Sequence, residues 1–280
     1  MDGGQETSPV AVSSGANGET GFVAYAHACI GKMREEGKYD AANKLDKYVA
    51  RFVTYLGKDE VLFEDFDSTL MQGYHTWLES RKLGRNSISL YIRNLKRVYR
   101  MAVEDGVVRE QHPFEGVDVS YRVKKEKNGL TLGEVRRLRA LDLSRCGHPV
   151  SFARDMFLFS VFTRGMTGDD IFHLTRENIK DGHLAYLQKI TGKRVSMPWE
   201  PVMQEIVDRY ASPGTPYLFP VITAGEPYEQ WRQHCVALHN INRNLKKIGR
   251  MLEIPFPLTM TVAHHSWASM TRGLAVGDML

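Results

Sequence analysis

The sequence predicts a mainly α-helical protein of two domains, the second carrying one small β-hairpin. Three observations lead there. Between residues 21 and 106, successive segments place apolar residues at three- and four-residue steps. That periodicity is lost in the basic run VSYRVKKEKN at residues 119–128 and returns from Thr131. Residues 184–198 carry strand-like runs on either side of Thr191-Gly192, the pattern of a hairpin with a short turn. The expected organisation is a disordered N-terminus (1–20), a first domain (21–118), a linker (119–128) and a second domain (129–280). A chain of 280 residues suits two domains of ordinary size.

Residues 1–20 are rich in Gly, Ser and Thr and poor in large apolar side chains, so no packed structure is expected of them. The first helix should follow from Gly21, with Phe22, Tyr25, Ala26, Cys29, Ile30 and Met33 on one face. A second should cover about Tyr39 to Tyr55 and end at Gly57. A third, from Ser68 to Ser80, has Asp67 or Ser68 as its cap. The fourth is expected to be capped by Asn86 or Ser87 and closed by Gly106. In the second domain, Thr131 and Glu134 have capping-box spacing, and residues 152–163 read as a buried helix. After the hairpin, helices are expected at Pro201 to Tyr210, His239 to Leu252 and Thr261 to Arg272.

Composition narrows the function classes. A hydrophobic share of 42% supports a real core. No apolar run approaches the roughly 20 residues of a membrane span, and no apolar signal segment follows Met1, so an intracellular, cytoplasmic protein is expected. Cys29, Cys146 and Cys235 form no CxxC pair and no zinc-finger spacing, and are expected to be buried reduced thiols with no metal bound.

The net charge of +4 matters less than its distribution. From Arg81 to Arg100 the chain carries Arg81, Lys82, Arg85, Arg93, Lys96, Arg97 and Arg100 with no acid among them. On the fourth helix, Ile88, Tyr91, Leu95, Val98, Tyr99 and Ala102 fall on one face. Arg93, Lys96, Arg97 and Arg100 gather within an arc of about 100° on the other. Such a face suits phosphates or a major groove, with Arg85, Asn86 and Ser87 at its start and Lys124 and Lys125 of the linker as further contacts.

These motifs together resemble the tyrosine recombinases, and most of all the integrases of bacterial mobile elements. NSISLYIRNLKRVYRMAVEDGVV resembles their four-helix, SAM-like core-binding domain. FSVFTRGMTGDDIFHLTRENI resembles the segment of the first catalytic arginine, YLQKITGKRVSMPW the hairpin of the catalytic lysine, and LTMTVAHHSWASM the helix of the second arginine. The resemblance implies double-stranded DNA as partner, self-association on it, and no membrane or small-molecule substrate. It also implies attack on a phosphodiester by a tyrosine. Two arginines would hold the non-bridging oxygens, a lysine would protonate the leaving oxygen, and no cofactor would be required.

Position by position, this chain departs from that pattern. Arg164 is a candidate first arginine, but a register set by Asp170 and Leu174 puts Thr167 there instead. As a helix-end residue, Arg164 would simply pair with Asp169 or Asp170. Ile190 stands at the lysine position. Lys189 would replace that lysine only through a bulge or slipped register, because neighbouring strand residues face opposite ways, and Lys193 only by reaching back from the turn. His264 replaces the second arginine, beside His265, and an imidazole lacks the guanidinium fork. The family's Gly-His motif and nucleophilic tyrosine do not occur before Leu280, and no tyrosine follows Tyr228. The expectation is therefore a DNA-binding recombinase scaffold unable to cleave as this chain, an active recombinase whose C-terminal segment lies beyond Leu280, or a non-catalytic accessory factor or regulator.

Overall fold

The computed structural model describes residues 21–117 and 127–270. The expected N-terminal segment, Lys124 and Lys125, most of the basic run and the end of the last expected helix lie outside the described residues. The chain divides into two compact units between Lys124 and Lys125.

The first unit is built from α1 (Phe22–Glu35), α2 (Tyr39–Leu56), α3 (Ser68–Ser80) and α4 (Arg85–Glu104), with one turn of 3-10 helix at Phe63–Asp65. Its core is aromatic. Phe66, on the loop before α3, stacks on Phe22 with ring centroids 4.2 Å apart and on Tyr99 at 5.6 Å, so a single loop residue joins α1 to α4. Gly21 offers α1 no side-chain cap. Glu60 takes that place, its carboxylate accepting from the amides of Val23 (2.7 Å) and Ala24 (2.8 Å) at the positive end of the helix. Asp67 caps α3 by accepting from the Leu70 amide at 2.8 Å, and Gly57 ends α2 in the left-handed region at φ 65°.

The start of α4 differs from expectation. Neither Asn86 nor Ser87 caps it; both lie inside the first turn, and Gly84 is the N-cap. The chain arrives through Lys82 at φ 56°, and the amides of Ser87 (2.8 Å) and Ile88 (3.1 Å) both return to the Gly84 carbonyl. The helix therefore begins before the polar pair that would otherwise cap it.

In the second unit, α5 (Leu132–Ala140) opens with a capping box in which Thr131 and Glu134 bind each other's backbone amides. Next come α6 (His148–Phe162), the short α7 (Gly168–Ile171), α8 (Pro201–Tyr210), α9 (Pro227–Met251) and α10 (Met260–Met270). From Asp155 to Phe162 every residue of α6 is buried, because α5, α8, α9 and α10 all pack on it. A small antiparallel sheet follows α7: β1 (Ile179–Lys180), β2 (His183–Leu187) and β3 (Arg194–Pro198), in the order β1-β2-β3. Leu184 pairs with Met197, and both are buried, as period-two alternation requires.

Several elements exceed the sequence expectation, among them α7, β1 and the early turns of α9. The two-residue β1 is too short to carry a pattern. Helix α9 begins at Pro227, well before His239. Its entry is held by polar side chains: Gln233 Oε1 accepts from the amides of Thr223 (2.8 Å) and Ala224 (3.1 Å), and Gln230 Nε2 donates to the Ala224 carbonyl at 3.0 Å. Apolar periodicity does not register a helix turn secured in this way.

Inside the second unit, Asp155 is only 1% exposed and receives Arg154 Nε (2.8 Å), Arg209 Nη1 (2.8 Å) and the Tyr210 hydroxyl (2.9 Å). Burial, and then the Asp155 charge, push the Tyr210 hydroxyl well above the usual phenol range, so it stays a donor. At the unit's beginning, the Leu130 amide donates to Ser266 Oγ at 2.8 Å, while Ser266 donates to the Val262 carbonyl at 2.7 Å. Backbone meets backbone there: a side chain at Gly129 would stand 3.1 Å from the main chain of His265 and Ser266.

Cys29, Cys146 and Cys235 take part in no disulfide and are half-buried rather than fully buried. No helix among the described residues is long and apolar enough to cross a membrane.

Two substitutions test this packing by chemical denaturation. Thr131→Ala should cost about 1 kcal/mol through the lost capping box. Asp155→Ala, which strands the half-buried Arg154, should cost about 3 kcal/mol or more.

Candidate functional site

In the first unit, the amphipathic pattern of α4 resolves as its spacing requires. Ile88, Ile92, Leu95, Val98, Tyr99 and Ala102 are buried, while Tyr91 is half-buried against Tyr48 at 5.1 Å. Arg93, Lys96, Arg97 and Arg100 are all exposed on the other side. Three of them also have local partners. Arg93 Nε donates to the Ser89 carbonyl at 3.2 Å, Lys96 lies 5.8 Å over the Phe114 ring, and Arg100 pairs with Glu104 at 3.5 Å. Both members of that last pair are well solvated, so it breaks at little cost and leaves Arg100 available to a phosphate. At the helix start Arg85 and Ser87 are exposed and Asn86 is half-buried.

In the second unit, the candidate catalytic positions fall on three elements. Arg164 lies at the end of α6, in a backbone arrangement that explains its unusual φ of 60°. The Gly165 amide returns to the Ser160 carbonyl at 2.7 Å and the Arg164 amide to Val161 at 3.2 Å, which is a Schellman closure with Arg164 in the place glycine usually takes. Gly165 itself has φ 76°, and a side chain there would stand 3.1 Å from His264. His264, exposed on α10, places Nδ1 2.7 Å from the Gly165 carbonyl. The half-buried His265 has its ring 5.8 Å from that of His264. The α6–α7 turn and α10 therefore meet at the residue that follows Arg164, through the bond between His264 and Gly165.

Thr167 has a different task. It caps α7, accepting from the Asp170 amide at 3.3 Å and donating to Asp170 Oδ2 at 2.8 Å. The pairing of Arg164 with Asp169 or Asp170 considered from sequence does not occur. Asp169 instead faces Lys189 Nζ (3.4 Å) and His234 Nε2 (3.3 Å), and Asp170 receives Thr167 and the Lys189 amide, the latter at 3.0 Å. The turn after α6 carries Arg164 outward before α7 begins.

The hairpin also differs from the strand-based expectation. Strand β2 ends at Leu187, so Lys189 and Ile190 lie in the connecting loop, where alternation between faces does not apply. Both backbone and side chain of Lys189 reach α7, whereas Ile190 is 73% exposed. Lys193 is exposed at the end of the loop, its carbonyl accepting from the Gln188 amide at 2.8 Å. Tyr186, on the buried face of β2, is held protonated by burial and secondarily by the Asp170 charge, which push its pKa up to about 12.

One group escaped sequence reasoning. Asp169, His173 and His234 bring potential metal-ligating atoms within 4.8 Å of one another. Asp169 and His173 are only four residues apart, but His234 comes from α9, far along the chain. Spacing rules built for local motifs cannot find such a set.

A helical unit with a cationic last helix, and a second helical unit with an inserted hairpin, together have the fold of the tyrosine recombinase integrases. Residues 21–121 match the family model described as phage integrase SAM-like domain. Among solved structures, a lambda integrase dimer bound to a COC′ core site is similar with TM-score 0.64 at 14% identity, covering 93% of each chain. A lambda integrase tetramer bound to a Holliday junction gives 0.63 at 14% identity, covering 93% of this chain and 76% of that one. The Tn1549 transposon integrase in complex with a circular intermediate DNA gives 0.58 at 12% identity, covering 92% and 89%. No curated protein matches significantly by sequence. The family match is carried by the first unit, and the likeness to these solved integrases is one of fold.

Replacing Arg164 with glycine should relieve the left-handed backbone and leave stability unchanged or raised by up to about 1 kcal/mol in a thermal melt. Asp170→Ala should release the hairpin loop. The Lys189 amide should then exchange with solvent faster, and stability should fall by about 2 kcal/mol.

Proposed function

We propose that this chain binds double-stranded DNA as a protein of site-specific recombination or integration. The observation that carries the reading is the exposed cationic face of α4, on the domain that matches the phage integrase SAM-like model. Its cations would contact phosphates, with Arg85, Asn86 and Ser87 extending the contact at the helix start. Lys124 and Lys125 would add to it from the basic run. Similar integrases have been solved on DNA as a dimer and as a tetramer, which supports self-association on the duplex. On this reading the chain would work where the DNA is, in the cytoplasm.

The same reading assigns Arg164 to a DNA phosphate. A non-glycine residue held at the C′ position of a helix is a strained arrangement, and strain of that kind collects at functional sites. Lys189 would serve a leaving oxygen, or Lys193 from the loop end, with His264 and His265 on the α10 side. Two features favour binding without cleavage. His264 commits Nδ1 to the Gly165 carbonyl, and it cannot clasp a phosphate through two parallel bonds as arginine does. Ile190, where the family pattern has its lysine, is exposed and apolar. A non-catalytic accessory factor on this scaffold is the alternative reading.

Fluorescence anisotropy with a labelled duplex across a salt series tests the interface. Neutralising Arg93, Lys96, Arg97 and Arg100 together should flatten the slope of log K against log salt by about 3 to 4. An unchanged slope would remove α4 from the interface. A suicide duplex separates the two chemical readings: nicking or a covalent protein–DNA adduct would show that the chain cleaves, and salt-dependent binding without either supports the accessory role.

A further inference from the structure

Asp169, His173 and His234 converge beside the turn that carries Arg164, and we propose that they bind one divalent transition-metal ion of the zinc class, joining the α7 segment to α9. Their ligating atoms already lie within 4.8 Å of one another. Around a tetrahedral ion with bonds of about 2.0–2.2 Å, ligand atoms stand roughly 3.3–3.6 Å apart, so side-chain rotation closes the remaining gap. His234 Nε2 and Asp169 Oδ1 are at 3.3 Å, which is that separation.

The donor set selects the ion. Two imidazoles and one carboxylate suit zinc and its first-row neighbours, whereas magnesium and calcium favour all-oxygen sites. Three protein ligands leave a fourth position for water or an incoming anion. The surroundings resemble those of ligating histidines. One ring nitrogen of His173 lies 2.6 Å from the Asp169 carbonyl, a bond that fixes the tautomer and leaves the other nitrogen its lone pair. Phe172 packs edge-on to the His234 ring at 5.2 Å and Tyr217 to His173 at 5.8 Å, which restrains both imidazoles.

Lys189 is the competitor. Its ammonium, 3.4 Å from Asp169 Oδ1, occupies the carboxylate that the ion would take. Metal binding would therefore displace the lysine from α7 while its backbone bond to Asp170 holds the loop in place. The site would be a switch on the side chain of Lys189, and its existence does not depend on whether the chain binds DNA.

Isothermal titration of zinc chloride into the full chain, with reduced thiols and no chelator, tests the proposal. One equivalent should bind, and zinc should raise the melting temperature. Because His234 is buried, the more exposed His173 carries the test: His173→Ala should weaken binding about tenfold or more and abolish the thermal shift, and Asp169→Asn should do likewise. Lys189→Met should tighten binding by roughly two- to fivefold by removing the competing cation. Absence of saturable binding would overturn the proposal. So would zinc binding with the same affinity and stoichiometry in His173→Ala, which would assign the ion to the cysteines or to other histidines.

Discussion

Asp170 is 5% exposed, yet both of its carboxylate oxygens are occupied: one accepts from the Thr167 hydroxyl and the other from the Lys189 amide. A carboxylate taken out of water must recover its hydration through such bonds, so the residues that supply them are held where they stand. The Thr167 bond fixes where α7 starts, directly after the left-handed turn that closes α6. The Lys189 bond anchors a hairpin loop that has few other tethers to α7. Thr167 and Lys189 take their positions from this one buried group.

Much of the fold was legible in the residues because it rests on patterns that a linear sequence records. The apolar stripes of α2 and α4, the Asp67 cap, the Gly57 stop and the Thr131–Glu134 box each follow from contacts within about one helical turn. The early start of α9 was hidden because glutamine side chains, not apolar spacing, secure its first turns. The start of α4 was misplaced by a related rule: Asn86 and Ser87 are good caps, but a glycine two residues upstream reached the cap position first.

The candidate site was less legible than the fold. Which residue of Arg164-Gly165-Met166-Thr167 faces outward depends on a Schellman closure, a detail of backbone geometry that residue identity does not encode when arginine occupies the glycine position. Treating Lys189 as a strand residue failed because the strand ends two residues earlier. His234 joins Asp169 only through the packing of α9. The cationic face of α4, by contrast, could be read directly, since one helix carries both its core and its charge. What the sequence could not convey is that Arg93 and Arg100 are drawn partly back to their own helix.

The hydrogen bond from Leu130 to Ser266 spans 136 residues and pins the entry of the second unit to its last described helix. A contact that distant in sequence carries a loop-closure cost that local helices escape. During synthesis, α5 and α6 would leave the ribosome long before α10 existed to receive them. The first unit, whose four helices are consecutive, has no such wait. Vectorial emergence therefore favours an order in which the basic domain is complete, and competent to meet a polyanion, while the second unit is still open.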